Sequence, residues 1–405
     1  MTAPPRPSAD HHAHVIADEA EALAVAAELA AEFRAGAARR DAERELPRAE
    51  LDRLTAAGLL AITVPAEYGG ADVSTATLAE VFRLLGSADA SLSQIPQSHF
   101  AYVNVLRAQG TPAQRSFFFG ELLAGRRFGN AQSEAGTKHV QDIRTRLEPA
   151  PDGAGYVLTG QKHYATGALF ADWIPVLARA EGDALHVAYV PADADGVTVV
   201  DDWEGMGQRT TASGSVRLDG VLVPEERVVP HHLTFNGPQL HGAVAQLLHA
   251  AIDAGIAGGA LAEAGEFVRT KSRPWFESGF EKATEDPLLI QRFGELAIQV
   301  RAADALLKEA ARAVDAARAG LTDESAAAAS IAVAAAKVFA AGAAVEVSAA
   351  LFEVAGTRAA AQSLNLHRHW RDARTHTLHD PTRWKVQHIG RYVLNGTVPP
   401  RHGLL

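Results

Sequence analysis

The chain has 405 residues, with 38 Lys and Arg against 48 Asp and Glu and a formal net charge of −10. That length calls for about two or three domains, each with a substantial apolar interior, and the acidic balance argues against nucleic acid or an anionic membrane as the main partner. Zero cysteines exclude disulfides, thiolate nucleophiles and Cys-ligated zinc, which leaves small molecules or further protein subunits as expected partners.

Residues 1–18 are rich in Pro and His and lack a cationic stretch followed by an apolar one, so they do not read as a secretory signal. A cytoplasmic protein is expected. From residue 16 to about 127 apolar residues recur at helical spacing, with Leu23, Ala26, Ala27, Ala30 and Phe33 on one stripe. Residues 58–65 followed by Glu67-Tyr-Gly-Gly70 read as a helix end, a short extended piece and a glycine turn, and a further helix is expected over 75–86.

Between 128 and 229 the period changes. Short β-rich runs at 144–147, 156–159, 173–178, 185–190, 197–200 and 215–218 alternate with the turn pairs Asp152-Gly153, Glu181-Gly182 and Asp219-Gly220. This predicts a small antiparallel β domain. Helical patterns return at 242–270, 287–320, 323–356 and 365–395, with Gly320 as a stop and Asp323 as an N-cap. Four long helices in succession predict an up-and-down bundle. The alanine-rich run 331–347 is interrupted by Lys337, Gly342 and Glu346, which makes it poor material for a membrane span. The expected fold class is α+β: an N-terminal helical domain over 1–127, a central β domain over 128–235 and a C-terminal four-helix bundle over 236–405.

The densest chemistry lies at 371–382, Arg-Asp-Ala-Arg-Thr-His-Thr-Leu-His-Asp-Pro-Thr. On a helix, His376 and His379 would share a face with Asp380 beside them, ahead of the helix-breaking Pro381, so both imidazoles could enter one pocket. Two other readings stand beside that one. One is a hydrated helix end capped by histidines; the other is a non-haem iron or zinc site built from His376, His379, Asp380 and His99.

The order of segments is joined by Gly69-Gly70 after Val64-Pro65, the turn Gly-Ser-Ala-Asp-Ala-Ser at 86–91, and Phe128-Gly-Asn-Ala-Gln-Ser-Glu134. Gly160-Gln-Lys-His-Tyr-Ala-Thr-Gly167 and Gly207-Gln-Arg-Thr-Thr-Ala-Ser-Gly214 follow. Together these motifs resemble the acyl-CoA dehydrogenase superfamily over nearly the whole chain. The resemblance implies a flavin ring between the β domain and the bundle, with Ser133 on its pyrimidine edge and Thr166 near N5 and C4a. Dehydrogenases of this type use a catalytic glutamate, and the corresponding segment here, His379-Asp380-Pro381-Thr382, has none. An FAD-dependent acyl-CoA dehydrogenase is therefore the alternative reading.

Residues 375–381, Gln94-Ile-Pro-Gln-Ser-His-Phe100, Arg273-Pro-Trp275, Ala-Thr-Glu-Asp-Pro at 283–287 and Leu394-Asn-Gly396 instead resemble the monooxygenases of this fold. These are the dibenzothiophene monooxygenase and sulfur-acquisition oxidoreductase branch. That resemblance implies reduced FMN delivered by a separate NAD(P)H-dependent flavin reductase, O2 as co-substrate, a C4a-hydroperoxyflavin, and oxygen transfer to a small organosulfur or similarly electron-rich compound. Such a peroxide survives where water is excluded and hydroxyls or neutral imidazoles donate to it. His99, Asn130, Thr166, His376 and His379 are the implied cavity residues. Ser213 is implied at the ribityl or phosphate, Arg273 and Arg358 at the FMN phosphate across a subunit boundary, a homotetramer as the assembly, and no metal. No Gly-x-Gly-x-x-Gly occurs in a βαβ setting, consistent with reduction elsewhere.

Overall fold

Caps set the helices that the spacing predicts. In the computed structural model, which describes residues 13–151 and 153–405, the chain begins with α1 (Glu19–Glu43), α2 (Arg48–Ala56), α3 (Thr75–Ala88), α4 (Ala90–Gln94), α5 (Gln97–Gln109) and α6 (Pro112–Leu123). The start of the chain through residue 12 and the Asp152 half of one turn lie outside the described residues. The Asp18 side chain accepts from the Glu21 N–H at the head of α1, Ser74 does the same for α3, and Thr111 with Gln114 forms a capping box ahead of α6.

The sheet follows as β1 (Arg146–Pro149), β2 (Tyr156–Lys162), β3 (Trp173–Arg179), β4 (Leu185–Pro191), β5 (Val197–Val200), β6 (Ser215–Val223) and β7 (Val228–Val229), in the order β5-β6-β2-β1-β3-β4-β7. One pair departs from the antiparallel expectation. β1 and β3 run parallel, because the connection from β2 to β3 crosses over through Thr166 instead of turning back as a hairpin. β3 is buried on both faces: Trp173 and Leu177 pack with Phe118, Phe128 and Tyr189 on one side, Ile174, Val176 and Ala178 with Leu158 and Val216 on the other.

Then come α7 (His241–Lys271), α8 (Pro287–Ala319), α9 (Asp323–Ala355), α10 (Arg368–His376) and α11 (Thr382–Asn395). The last predicted helix is thus two helices, broken over 377–381 by a turn that ends in Pro381. The cap of α9 is Thr322, whose hydroxyl accepts from the Ser325 N–H, so Asp323 is the first helical residue and not the cap. Gly320 does end α8.

The N-terminal helices and the bundle share one core, in which Phe33, Leu54, Phe82 and Leu92 lie with Leu247, Ile252, Leu307, Val333 and Leu351. α7 and α9 are long and apolar enough to cross a membrane by composition, and packing in this core accounts for that composition. Glycines set how closely α3 approaches α7. A Cβ on Gly255 would sit 2.5 Å from the Arg83 backbone oxygen, and one on Gly259 2.4 Å from that of Ser87. This approach matters because α4, and with it Gln94, follows directly from α3.

Two outcomes follow from this packing. Ala at both Gly255 and Gly259 gains about 1 kcal/mol per site in helix propensity, but the clash is with backbone, and overpacking of that kind costs about 1–3 kcal/mol. The double variant should therefore melt below the parent, and a rise in Tm would contradict the close-approach account. Burial pushes His99 down to about 4 and His231 to about 3. The unfolded chain takes up protons below the usual value near 6.5 while the folded one does not, so their stability contribution is complete above that pH and is lost as pH falls toward 4. Urea unfolding followed from pH 8 to 4.5 should be flat at the top and fall by several kcal/mol at the bottom; a curve flat down to pH 5 would count against neutral burial.

Candidate active site

Three histidines meet where α4, α7, α10 and the turn after α10 converge. His249 and Asp253 stand one turn apart on α7, His376 is the last residue of α10, and His379 lies in the following turn. The expectation that His376 and His379 share a helix face is corrected, yet the turn folds back. Their ring centroids are 4.8 Å apart, and His249 lies 5.1 Å from His376 and 4.8 Å from His379.

Each ring is held by named partners. His376 Nδ1 lies 2.6 Å from Asp253 Oδ1, whose other oxygen accepts from Lys337 Nζ at 2.7 Å. Asp253, Lys337 and His376 are fully buried. Burial raises Asp253, but Lys337 and His376 outweigh it and hold the carboxyl at about 2. His376 Nε2 faces His249 Nδ1 at 3.0 Å and Gln94 Oε1 at 3.1 Å. His379 Nδ1 donates to the His376 backbone oxygen at 2.7 Å, and its Nε2 accepts from the Gln94 amide at 3.2 Å. His379 is accessible to solvent although atoms crowd it on several sides; that crowding, and then His376, push its imidazole below the ordinary range. Burial does the same to His249.

Thr166 and Ser213 form a second polar group. Thr166 Oγ1 lies 2.7 Å from Ser213 Oγ, which lies 2.8 Å from Thr211 Oγ1, and Thr211 in turn donates to the Gln208 oxygen. Ser213 is therefore a direct neighbour of the Thr166 hydroxyl. The backbone here is bent tightly: Tyr164, Gln208 and Ala212 all have positive φ. Ser133 is half-buried in a loop pinned by its neighbour Glu134, which accepts from buried Lys162 at 2.7 Å and from Thr145. Burial pulls Lys162 down to about 8, with Glu134 opposing.

Of the expected cavity residues, His99 is committed to the protein instead, while Asn130 spends only part of its amide capacity on it. His99 Nε2 donates to the Leu60 oxygen at 2.8 Å, and its Nδ1 accepts from the Phe128 N–H at 3.0 Å. Both ring nitrogens are used, so His99 is a core histidine with no hydrogen bond left to offer a ligand. Asn130 accepts from Tyr102 and donates to the Tyr164 oxygen, each at 3.2 Å, which makes it a support for the bend before Thr166. Gln94, His249, Asp253 and Lys337 went unassigned in the sequence. The i, i+4 pair on α7 and a lysine in an alanine run were the available signals.

Arg273 and Arg358 are exposed, and among the described residues neither pairs with a carboxylate; Arg358 donates to the Lys271 oxygen at 2.8 Å. That bond places both at the far end of α7. At 1.5 Å per residue, His249 and Lys271 are separated by ~33 Å along the helix. Arg273 and Arg358 are thus remote from the histidines of their own chain. Asp380 is paired with Lys385 at 2.6 Å through one oxygen, its other oxygen having no hydrogen-bond partner, and Asp253 is paired with Lys337 and His376, so the charge of each carboxylate is matched by a lysine.

Residues 17–126, 128–221 and 247–384 match the N-terminal, middle and C-terminal domains of acyl-CoA dehydrogenase. Dibenzothiophene monooxygenase of Rhodococcus erythropolis is 35% identical over 393 residues, covering 93% of this chain and 94% of its own. The crystal structure of FMN-bound TdsC from Paenibacillus sp. A11-2 superposes with a TM-score of 0.89 at 35% identity, over 95% of this chain and 100% of that one. Methanesulfinate monooxygenase MsuC from Pseudomonas fluorescens gives 0.87 at 31% identity, over 95% and 99%. With three successive domain matches and full-length likeness to these enzymes, the chain belongs to the acyl-CoA dehydrogenase family, in the group that contains dibenzothiophene monooxygenase.

Proposed function

We propose that this protein is a two-component monooxygenase that takes reduced FMN from a separate flavin reductase and uses O2 to oxygenate a small organosulfur compound. The observation that carries the reading is the set of groups at the site: imidazoles and paired hydroxyls, with both nearby carboxylates ion-paired to lysines. A dehydrogenase needs a carboxylate base aimed at its substrate, and here Asp253 and Asp380 are each neutralised by a lysine. Full-length likeness to an FMN-bound relative and to two sulfur monooxygenases supports the same reading.

The residues fit such a cofactor. Thr166 and Ser213 offer hydroxyls side by side, Ser133 offers one from the loop held by Glu134 and Lys162, and His379 is the solvent-accessible imidazole of the three. Bound reduced flavin would supply the electron pair that activates dioxygen. The chain's part is to orient it with those hydroxyls, to exclude water behind the apolar core, and to set the His379 imidazole at the site for proton exchange.

The phosphate clamp comes from another subunit in this reading. Arg273 and Arg358 lie too far along α7 to meet a flavin at their own chain's histidines, and both guanidiniums are free of carboxylates. Exposed Trp275, Phe276, Leu288, Ile298, Val393 and Leu394 on and around the bundle supply apolar surface for assembly into a homotetramer.

Supplied with reduced FMN and labelled O2, the protein should place one labelled oxygen on dibenzothiophene or methanesulfinate. His379→Ala should lower that rate by about two orders of magnitude, the usual worth of a positioned proton donor. Bleaching of bound FAD by an acyl-CoA, without oxygen incorporation, would instead establish the dehydrogenase alternative. Arg358→Gln should weaken reduced-FMN binding about 10-fold or more, the worth of one charge-assisted contact, in a protein that sediments as four protomers; unchanged affinity, or a sedimenting monomer, would remove the cross-subunit clamp.

A further inference from the structure

His376 and His379 have each spent the one proton of a neutral imidazole on Nδ1. For His376 the partner is a carboxylate, Asp253, kept ionised by Lys337; for His379 it is a backbone carbonyl oxygen, which can only accept. Both Nε2 atoms are then bare acceptors, and the side-chain amide of Gln94 lies between them at 3.1 and 3.2 Å. A carboxamide has donors at one end and an acceptor at the other. Whichever imidazole meets its oxygen must bring a second proton, and the argument holds for either orientation of the amide.

We propose that Gln94 makes His376 and His379 hold one proton in common, so that one of the two imidazoles is cationic in the resting protein. In the orientation seen, the charge is on His376. Its Nε2–H is shared between Gln94 Oε1 and His249 Nδ1, and Asp253 faces it from the other side. Turning the amide over moves the charge to His379, the solvent-reaching member, without moving either ring.

The surroundings act in both directions. Burial is the largest influence and, with Lys337, leaves His376 below its ordinary value although Asp253 and Asp380 favour the charge; Asp380 is itself matched by Lys385, so it is the hydrogen-bond geometry at Gln94 that demands the extra proton. The competing arrangement is a neutral His376 accepting from His249 Nδ1–H, which would leave the Gln94 oxygen facing a lone pair at 3.1 Å in a dry site. An unpaired acceptor in such a place is strongly disfavoured.

The consequence rests on the monooxygenase reading. Dioxygen that receives an electron pair from an anionic reduced flavin needs one proton. With the Gln94 amide turned over, the stored proton would stand on His379 Nε2; there the N–H bond would break as an O–H bond forms on the reduced oxygen, leaving the pair neutral until solvent reprotonates it. Gln94, Asp253 and Lys337 are positioning residues in this account.

The test uses flavin-free, full-length protein with ring-15N histidine, studied by solid-state NMR at pH 8.5, where exposed histidines are neutral. One imidazolium signal among the 17 histidines is expected, lost in Gln94→Leu and kept in Gln94→Glu, with Tm and circular dichroism confirming that both variants fold. Wild-type protein without an imidazolium, or a Gln94→Leu variant that keeps it, would overturn the proposal. Reduced-FMN binding is measured separately on the same samples. Its absence would sink the monooxygenase reading while the charge state of the pair still decides this inference.

Discussion

The bundle is organised around an ion pair with no access to water. Lys337 and Asp253 meet at 2.7 Å between α9 and α7, both fully buried among alanines. Charges in such a place are tolerated only when paired and further hydrogen-bonded, and stranding one of them costs about 3–5 kcal/mol. The pair therefore specifies both the rotation and the register of α7 against α9. It also leaves one oxygen of Asp253 facing a single direction, and His376 occupies it. The orientation of the site histidine and the packing of the bundle are thus settled by the same contact.

A second set of charges ties the remaining segments to that centre. Arg371 on α10 binds Asp41 of α1 and donates to the Met206 oxygen, and Asn365 reaches the same aspartate. Gly207 lies directly against the Arg371 backbone, where a Cβ would be 2.1 Å from its oxygen, and the Gln208 N–H donates to Asp372. Arg40 joins Asp89, the N-cap of α4, to Glu50. The β-domain loop that leads to Ser213 and the short helix that carries Gln94 are consequently anchored to elements flanking the histidines.

These anchors explain why the sequence was informative about some residues and silent about others. Strand positions were legible because alternation and turn pairs such as Glu181-Gly182 act locally, and β3 to β6 lie close to where those signals put them. The parallel β1–β3 pair was not legible, since it depends on the chain after β2 passing β1 to reach its far side, which no local turn signal encodes. Thr166, His376 and His379 could be named from local motifs. His99 looked equally suitable, and only the distance to the Leu60 oxygen and the Phe128 amide shows that its nitrogens are occupied.

By itself the amino-acid sequence determined the helix, sheet, helix order, most element limits and the run of ionisable groups at 376–380, because hydrophobic period, caps and turn chemistry are short-range properties of the chain. Tertiary structure decided which groups share a site. Gln94, His249, Asp253 and Lys337 come from segments up to 243 residues apart in sequence (337 − 94), and beyond the His249–Asp253 spacing nothing local marks them as partners. They meet because burial of a lysine demands a carboxylate, burial of that carboxylate demands a second donor, and the alanine and glycine faces let the helices approach closely enough to provide both.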